Sequence, residues 1–169
     1  MKLKLRCFFT SAWLVALLSI ALLGSSTAAF ADQDDSSTGP EGSWLYTVNI
    51  SGFTFQGIET YSTGGGYSEA DQLSFSPGAV ASAGHGVWKS IGHGNFLLTY
   101  FNLTFDYFTV GTPTGTLKVR QTATIDKTGN SYSGSGDYTY YDTYGKPVLN
   151  GSGTFQIKAQ RILVEAPGR

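Results

Sequence analysis

Residues 115–127, GTLKVRQTATIDK, alternate strictly between apolar and polar side chains. Leu117, Val119, Ala123 and Ile125 fall on one side of an extended chain, and Lys118, Arg120, Thr122 and Thr124 on the other. A two-residue period belongs to a β-strand with one buried face. The same texture recurs along most of the chain. WLYTVNI puts Trp44, Tyr46, Val48 and Ile50 on one face. FQGIETYS and GYSEAD flank TGGG, and GVWKSI and NFLLTYFNLTFDYFT flank GHG. SYSGSGDYTYYDT follows TGN, and GSGTFQIKAQRILVE closes the series. The short glycine-bearing breaks are hairpin signals, and the Thr, Tyr, Phe and Val between them suit strands. Beyond the first thirty-one residues no window keeps a helical period over three turns.

About eight strands joined by short turns in chain order read as an all-β, antiparallel up-and-down meander. Strands of this number and length close most economically as a barrel, which removes both exposed edges. A two-sheet sandwich is the alternative, but it needs longer crossings than these turns provide. The longest break, QLSFSPGAVASAG over 72–84, suits a loop over one barrel mouth, either functional or a plain connector.

Residues 1–31 read as a signal peptide. MKLKLR is positively charged, CFFTSAWLVALLSIALL is an uncharged apolar run, and GSSTAAFA ends in small residues around Phe30. Cleavage is expected after Ala31, with export to the periplasm or the medium and no membrane insertion thereafter. An uncleaved anchor is the alternative, since the run falls just short of the roughly 20 residues that span a bilayer. The single cysteine, Cys7, lies in this leader. The exported part therefore has no disulfide, and burial and hydrogen bonding must hold it together. Residues 32–42, DQDDSSTGPEG, read as a flexible acidic linker, and 43–169 as the barrel domain. Asp32, Asp34 and Asp35 lack the glycine and distal glutamate of a calcium loop. The whole chain of 169 residues carries 11 basic against 12 acidic residues, and the leader takes Lys2, Lys4 and Arg6 of the former. A mildly acidic remainder without a basic cluster argues against nucleic acid or an anionic membrane surface as partner.

GSW at 42–44, opening the first strand, resembles the Gly-x-Trp start of lipocalins and other calycins. That resemblance implies a tryptophan, Trp44, packed across the barrel floor. Segments 55–71 and 84–100, FQGIETYSTGGGYSEAD and GHGVWKSIGHGNFLLTY, are similar to a loose group of exported bacterial proteins of lipocalin-like form. In that group an aromatic-Gly-Gly hairpin precedes a Pro-Gly-x-Gly-x-Trp pattern, in which Trp88 would be the tryptophan. GSGTF at 151–155 is similar to the last strand of dirigent and allene oxide cyclase barrels, which keeps an isomerase or cyclase activity in view. The lipocalin-like group implies a fold and no settled activity.

Chemistry-bearing residues are few. The two histidines, His85 and His93, sit in GHGVWKSIGHG, each between glycines. A strand between them separates the imidazoles by on the order of 15 Å, too far for two ligands of one metal. No metal site and no cofactor is expected. His93 reads as a turn residue, and His85, ending the mouth loop, as a candidate hydrogen-bonding group for a ligand. Gly84, Gly86, Gly92 and Gly94 are expected to supply positive φ, bulges and bends. Glu59 and Glu69 form the more interesting pair. A five-residue loop over 62–66 makes Tyr61 face Tyr67 and Glu59 face Glu69, so that all four share one barrel face. Inward, the two carboxyls would push one pKa up and provide a proton donor beside an acceptor. Burying acids is costly, which favours the outward, solvated placement. A loop one residue shorter would part them.

Phe96, Leu98 and Tyr100 share one face of a long strand, and Phe101, Leu103 and Phe105 the other. A strand apolar on both faces suggests a homo-oligomer. The sequons at Asn49, Asn102 and Asn150 matter only in a glycosylating host, and the first two fall within strands. These features favour a barrel that holds a small, partly apolar molecule in its mouth, lined by Tyr61, Tyr67, Trp88, Tyr100 and His85. A cofactor-free cyclase, isomerase or hydrolase using Glu59 and Glu69 is the alternative. An envelope interaction protein with a side-chain-filled barrel and no ligand is a third reading.

Overall fold

Each alternating segment becomes a strand in the computed structural model, which describes residues 39–76, 79–109 and 111–168. In chain order these are β1 (Gly42–Ile50), β2 (Phe53–Tyr61), β3 (Gly66–Asp71), β4 (Phe75–Ser76), β5 (Ala79–Ala81), β6 (Gly84–Gly92), β7 (Asn95–Phe105), β8 (Pro113–Ile125), β9 (Ser131–Tyr141) and β10 (Pro147–Arg161). Among the described residues the one helical piece is a single 3-10 turn, Gln72–Ser74. The leader, its cleavage point and Asp32, Asp34 and Asp35 lie outside the described residues.

Eight long strands pair antiparallel around a closed ring in the order β1, β2, β3, β6, β7, β8, β9, β10. The ring closes where β1 meets β10, with Trp44 opposite Arg161 and Val48 opposite Ile157. This is the expected up-and-down barrel. The short strands β4 and β5 fall within the 72–84 connection, and β5 pairs with the end of β7 at Phe105 and Thr104. Closure leaves no long strand with a free edge, which is the physical gain of the meander over an open sheet.

Alternation sorts the side chains. Trp44, Tyr46 and Val48 of β1 point inward, as do Phe55, Glu59 and Tyr61 of β2, Tyr67 and Glu69 of β3, and Phe96 and Leu98 of β7. Leu97, Phe101 and Leu103 remain on the outer surface with Val87 and Ile58. Lys118 lies over the outer face of the Phe101 ring, 5.6 Å from its centroid.

The two ends of the barrel differ. One end carries the turns at 62–65, 93–94 and 126–130 and the incoming chain at Gly39–Glu41. An aromatic plug fills this end: Trp44 meets Tyr132 edge-on at 5.1 Å, Phe96 meets Tyr132 at 5.4 Å, and Tyr61 meets Phe96 at 5.3 Å. Arg161 stacks over Trp44 at 4.2 Å. Its guanidinium donates to the carbonyls of Gly129, Glu41 and Gly39. Trp44 Nε1 in turn donates to the Pro40 carbonyl at 2.7 Å, and Pro40 is fully buried. Gly39 to Gly42 thus belong to the barrel, which corrects a linker drawn as far as residue 42. The hydrogen bonds of Trp44 and Arg161 anchor that segment. The opposite end carries the turn at 51–52, the 72–84 connection and the loops at 106–112 and 142–146.

The glycines of GHGVWKSIGHG divide into two uses. Gly92 and Gly94 take positive φ around the turn, as does His93, and the pairing of β6 with β7 slips between Ser90 and Gly92. Gly84 and Gly86 have ordinary extended φ, against the expectation of bends there. They face inward, and a Cβ on either would collide, with Glu69 at Gly84 and with Tyr100 at Gly86. Their missing side chains are room for the interior.

Candidate functional site

The β2–β3 hairpin has the register that the five-residue loop requires. Tyr61 faces Tyr67 and Glu59 faces Glu69, with Ser62 N donating to Gly66 O across the turn. All four side chains point into the barrel, and Glu59 and Glu69 are only 1 % and 4 % exposed. The outward, solvated placement favoured on the cost of burying acids is therefore corrected. Hydrogen-bond donors from distant strands satisfy both carboxyls, so alternation carries them inside without leaving their oxygens bare.

Glu59 sits in a cage of three phenols. Tyr67 and Tyr61 donate to Oε2 at 2.9 and 3.3 Å, and Tyr132 donates to Oε1. Burial pushes its pKa up to about 7, against the phenols, which favour the carboxylate, and with a smaller upward push from Glu69. Glu69 accepts from Tyr46 Oη at 3.0 Å and from Asn102 Nδ2 at 2.6 Å. Burial raises its pKa as well; the Asn102 bond opposes this, and nearby Asp71 adds to it. Two glycines make the second arrangement fit. The end of the Tyr46 ring occupies the space a Cβ on Gly57 would fill, and Glu69 lies against Gly84, its partner on β6. Burial and the neighbouring acids push the phenols of Tyr61, Tyr67, Tyr100 and Tyr132 well above the ordinary tyrosine value, so they remain proton donors.

Above this polar layer, toward the 72–84 connection, lies a cavity of about 300 Å³. Val48, Phe55, Leu117, Val119, Phe155 and Ile157 make its apolar wall, and Ile50, Phe53, Leu73 and Ala81 stand near its mouth. Tyr46, Tyr67, Tyr100, Asn102, Gln121 and Asp71 supply the polar surface. Among the described lining residues there is no lysine, arginine or histidine.

Of the residues expected to line a binding site, Tyr67 and Tyr100 stand on the wall of this cavity. Tyr61, although opposite Tyr67, does not, because it is packed among Tyr67, Phe96 and Trp88. Trp88 is at the plugged end, where its Nε1 donates to the Ser62 carbonyl at 3.0 Å and caps the hairpin turn. His85 is exposed on the outer face, opposite Ser68 and Phe101, because its neighbours Gly84 and Gly86 take the inward positions. His93 is in the turn beyond the other end of β6, so the histidines stand apart. Sequence reasoning missed Tyr46, Tyr132, Asn102 and Gln121. The signal for the last two was present. Gln121 interrupts the apolar face of β8, and Asn102 continues the face of Phe96, Leu98 and Tyr100 on β7. Asn102 is buried with its amide on Glu69, so in the folded chain its sequon is inaccessible.

Both Glu59 oxygens are held by phenols, and the residue does not line the cavity. Glu69 stands one layer behind Asn102 and Tyr46, which do. The pair can hold or release a proton, but neither carboxyl touches the space where a small molecule would lie. The fold and site together define a closed eight-stranded barrel, plugged at one end and hollow at the other. No family model, curated protein or solved structure matches the chain.

Proposed function

We propose that this barrel binds a small, partly apolar molecule in the hollow half of its interior. The observation that carries the reading is the cavity of about 300 Å³, with an aliphatic and aromatic wall and a few polar groups at fixed positions. Such a site gains affinity by removing apolar ligand surface from water, and its few polar groups set orientation. The likeness of GSW at 42–44 to the lipocalin start supports the same reading, as does export signalled by residues 1–31. An acid–base enzyme built on Glu59 and Glu69 has less support, because the oxygens of both are engaged by tyrosine and asparagine donors. A barrel acting only as an interaction scaffold would have no use for a hollow end.

The test is binding of N-phenyl-1-naphthylamine, an uncharged apolar fluorophore. Saturable enhancement at one site per chain is expected, and Leu117→Trp, which fills the cavity from β8, should abolish it while melting cooperatively. Non-saturable fluorescence, or equal binding by the folded Leu117→Trp variant, would show that the hollow end is not a ligand site.

A further inference from the structure

One carboxylate stands on the wall of the cavity itself. Among the described lining residues Asp71 is the sole acid, and no lysine, arginine or histidine stands beside it. Asp71 ends β3, where the chain enters the 72–84 connection, and alternation from Tyr67 and Glu69 turns it inward. It lies opposite Gly57, the position whose missing Cβ leaves room for the Tyr46 ring. Asp71 Oδ1 accepts from the Ser74 amide at 3.0 Å and from Ser74 Oγ at 3.1 Å, and neither donor is charged. Among the described residues the one ion pair, Arg120 with Asp137, is exposed on the outer wall.

Aromatic rings stand around this carboxylate. Burial above all, with a smaller push from Asp71, holds the phenols of Tyr46, Tyr100 and Tyr140 above the ordinary tyrosine value. The charge of Asp71 is thus felt by rings on β1, β7 and β9. Tyr100 packs on Tyr67 with ring centroids 5.0 Å apart, and Tyr138 meets Tyr140 edge-on at 6.1 Å. All five tyrosines line the cavity. Glu69 adds a second acid one layer behind the wall, bonded to Asn102 and Tyr46.

This wall discriminates by charge. A carboxylate drawn partly out of water without a counter-ion is costly, and a neutral ligand over it removes still more water. An anion adds repulsion to that cost, whereas a cation reverses it. The faces of aromatic rings also attract an ammonium lying within about 6 Å of the ring centre. Across the barrel from β3, Val119 of β8 and Phe155 and Ile157 of β10 offer only apolar surface. That side suits the uncharged body of a ligand and not its charge.

We infer that the cavity takes an organic cation, an amine or quaternary ammonium with an apolar body. Its charge sits between Asp71 and the rings of Tyr46, Tyr100 and Tyr140, and its body lies against β8 and β10. This rests on the cavity being a ligand site, and the experiment separates the two. Displacement of N-phenyl-1-naphthylamine from the full chain is measured with octyltrimethylammonium, 1-octanol and octanoate, which share an alkyl chain and differ in charge. The ammonium is expected to bind at least about tenfold more tightly than the alcohol, and octanoate at least about tenfold more weakly. Asp71→Asn keeps an oxygen for Ser74 and removes the charge. It should bring the ammonium down to the level of the alcohol, with alcohol binding unchanged and a cooperative melt. Tyr140→Leu, which removes one ring, should weaken the ammonium about threefold and the alcohol little. If the fluorophore and the alcohol bind but the ammonium holds no advantage, or octanoate matches it, this inference fails and the binding site stands. An advantage unchanged in both folded variants overturns the inference as well, since the charge would then be held elsewhere. If nothing binds, the fluorophore included, both readings fall.

Discussion

Glu59 is the residue whose placement was hardest to read and whose behaviour is easiest to test. Alternation put it on the same face as Glu69, Tyr61 and Tyr67, but a period of two says only which residues share a face. The cost of burying an acid pointed outward. Tyr132, which lies 73 residues further along the chain, helps reverse that cost, and nothing local to the hairpin announces it. The carboxyl's titration follows from its surroundings. Its ordinary value near 4.5 is pushed up to about 7 by burial. Below about pH 4.5 folded and unfolded chains both hold this proton. Between about 4.5 and 7 only the folded chain does, so raising the pH favours unfolding, and above about 7 the difference is constant. Stability is therefore expected to fall by on the order of 3 kcal/mol between pH 4.5 and pH 7.5 from this group. Glu69, raised in the same direction, adds to the fall. Urea unfolding across that range should show the slope, and Glu59→Gln should flatten much of it. A Gln variant with the native slope would mean that Glu59 titrates as an ordinary surface acid.

At the scale of the strand pair, the β2–β3 hairpin was legible because loop length sets register. Five residues between Tyr61 and Tyr67 bring like against like, and the structure has that pairing. Deleting Gly65 is expected to shift the pairing by one residue and send either Glu59 or Glu69 outward with its neighbouring tyrosine. The phenol cage would then be broken, and the midpoint of thermal unfolding should drop by roughly 15 °C or more, with loss of the near-ultraviolet tyrosine signal. An unchanged melt would show that the cage contributes little. Other elements were legible only in part. His85 was placed at the mouth as the end of the 72–84 loop, whereas Gly84 and Gly86 take the inward positions beside it and leave its side chain on the outer face. Tyr61 and Trp88 were assigned to the correct region of chain, but no local pattern says which end of a barrel is hollow. That depends on where Trp44, Phe96, Tyr132 and Arg161 converge.

For the whole molecule, the meander itself was the most legible feature, since glycine-rich breaks and alternation follow directly from strand geometry. Its closure into a barrel was legible as the way to remove two exposed edges, but the register of the seam was not, because it joins residues more than a hundred positions apart. Arg161 is the residue that fastens this seam, through Trp44 and the carbonyls of Gly39, Glu41 and Gly129. Replacing it with methionine keeps length and apolar stem but removes the donors. A loss of about 3 kcal/mol in urea unfolding is expected, with faster amide exchange in β1 and β10 than in β7 and β8. Uniformly faster exchange over all strands would mean that the seam is no weaker than the rest of the wall. The same feature sets an order of events during synthesis. Until the ribosome has released residue 161, β1 has only one neighbour and Trp44 has no cation above it. The first strand made is thus the last to be completed, and throughout translation the growing chain offers a bare, sticky margin to any other strand nearby.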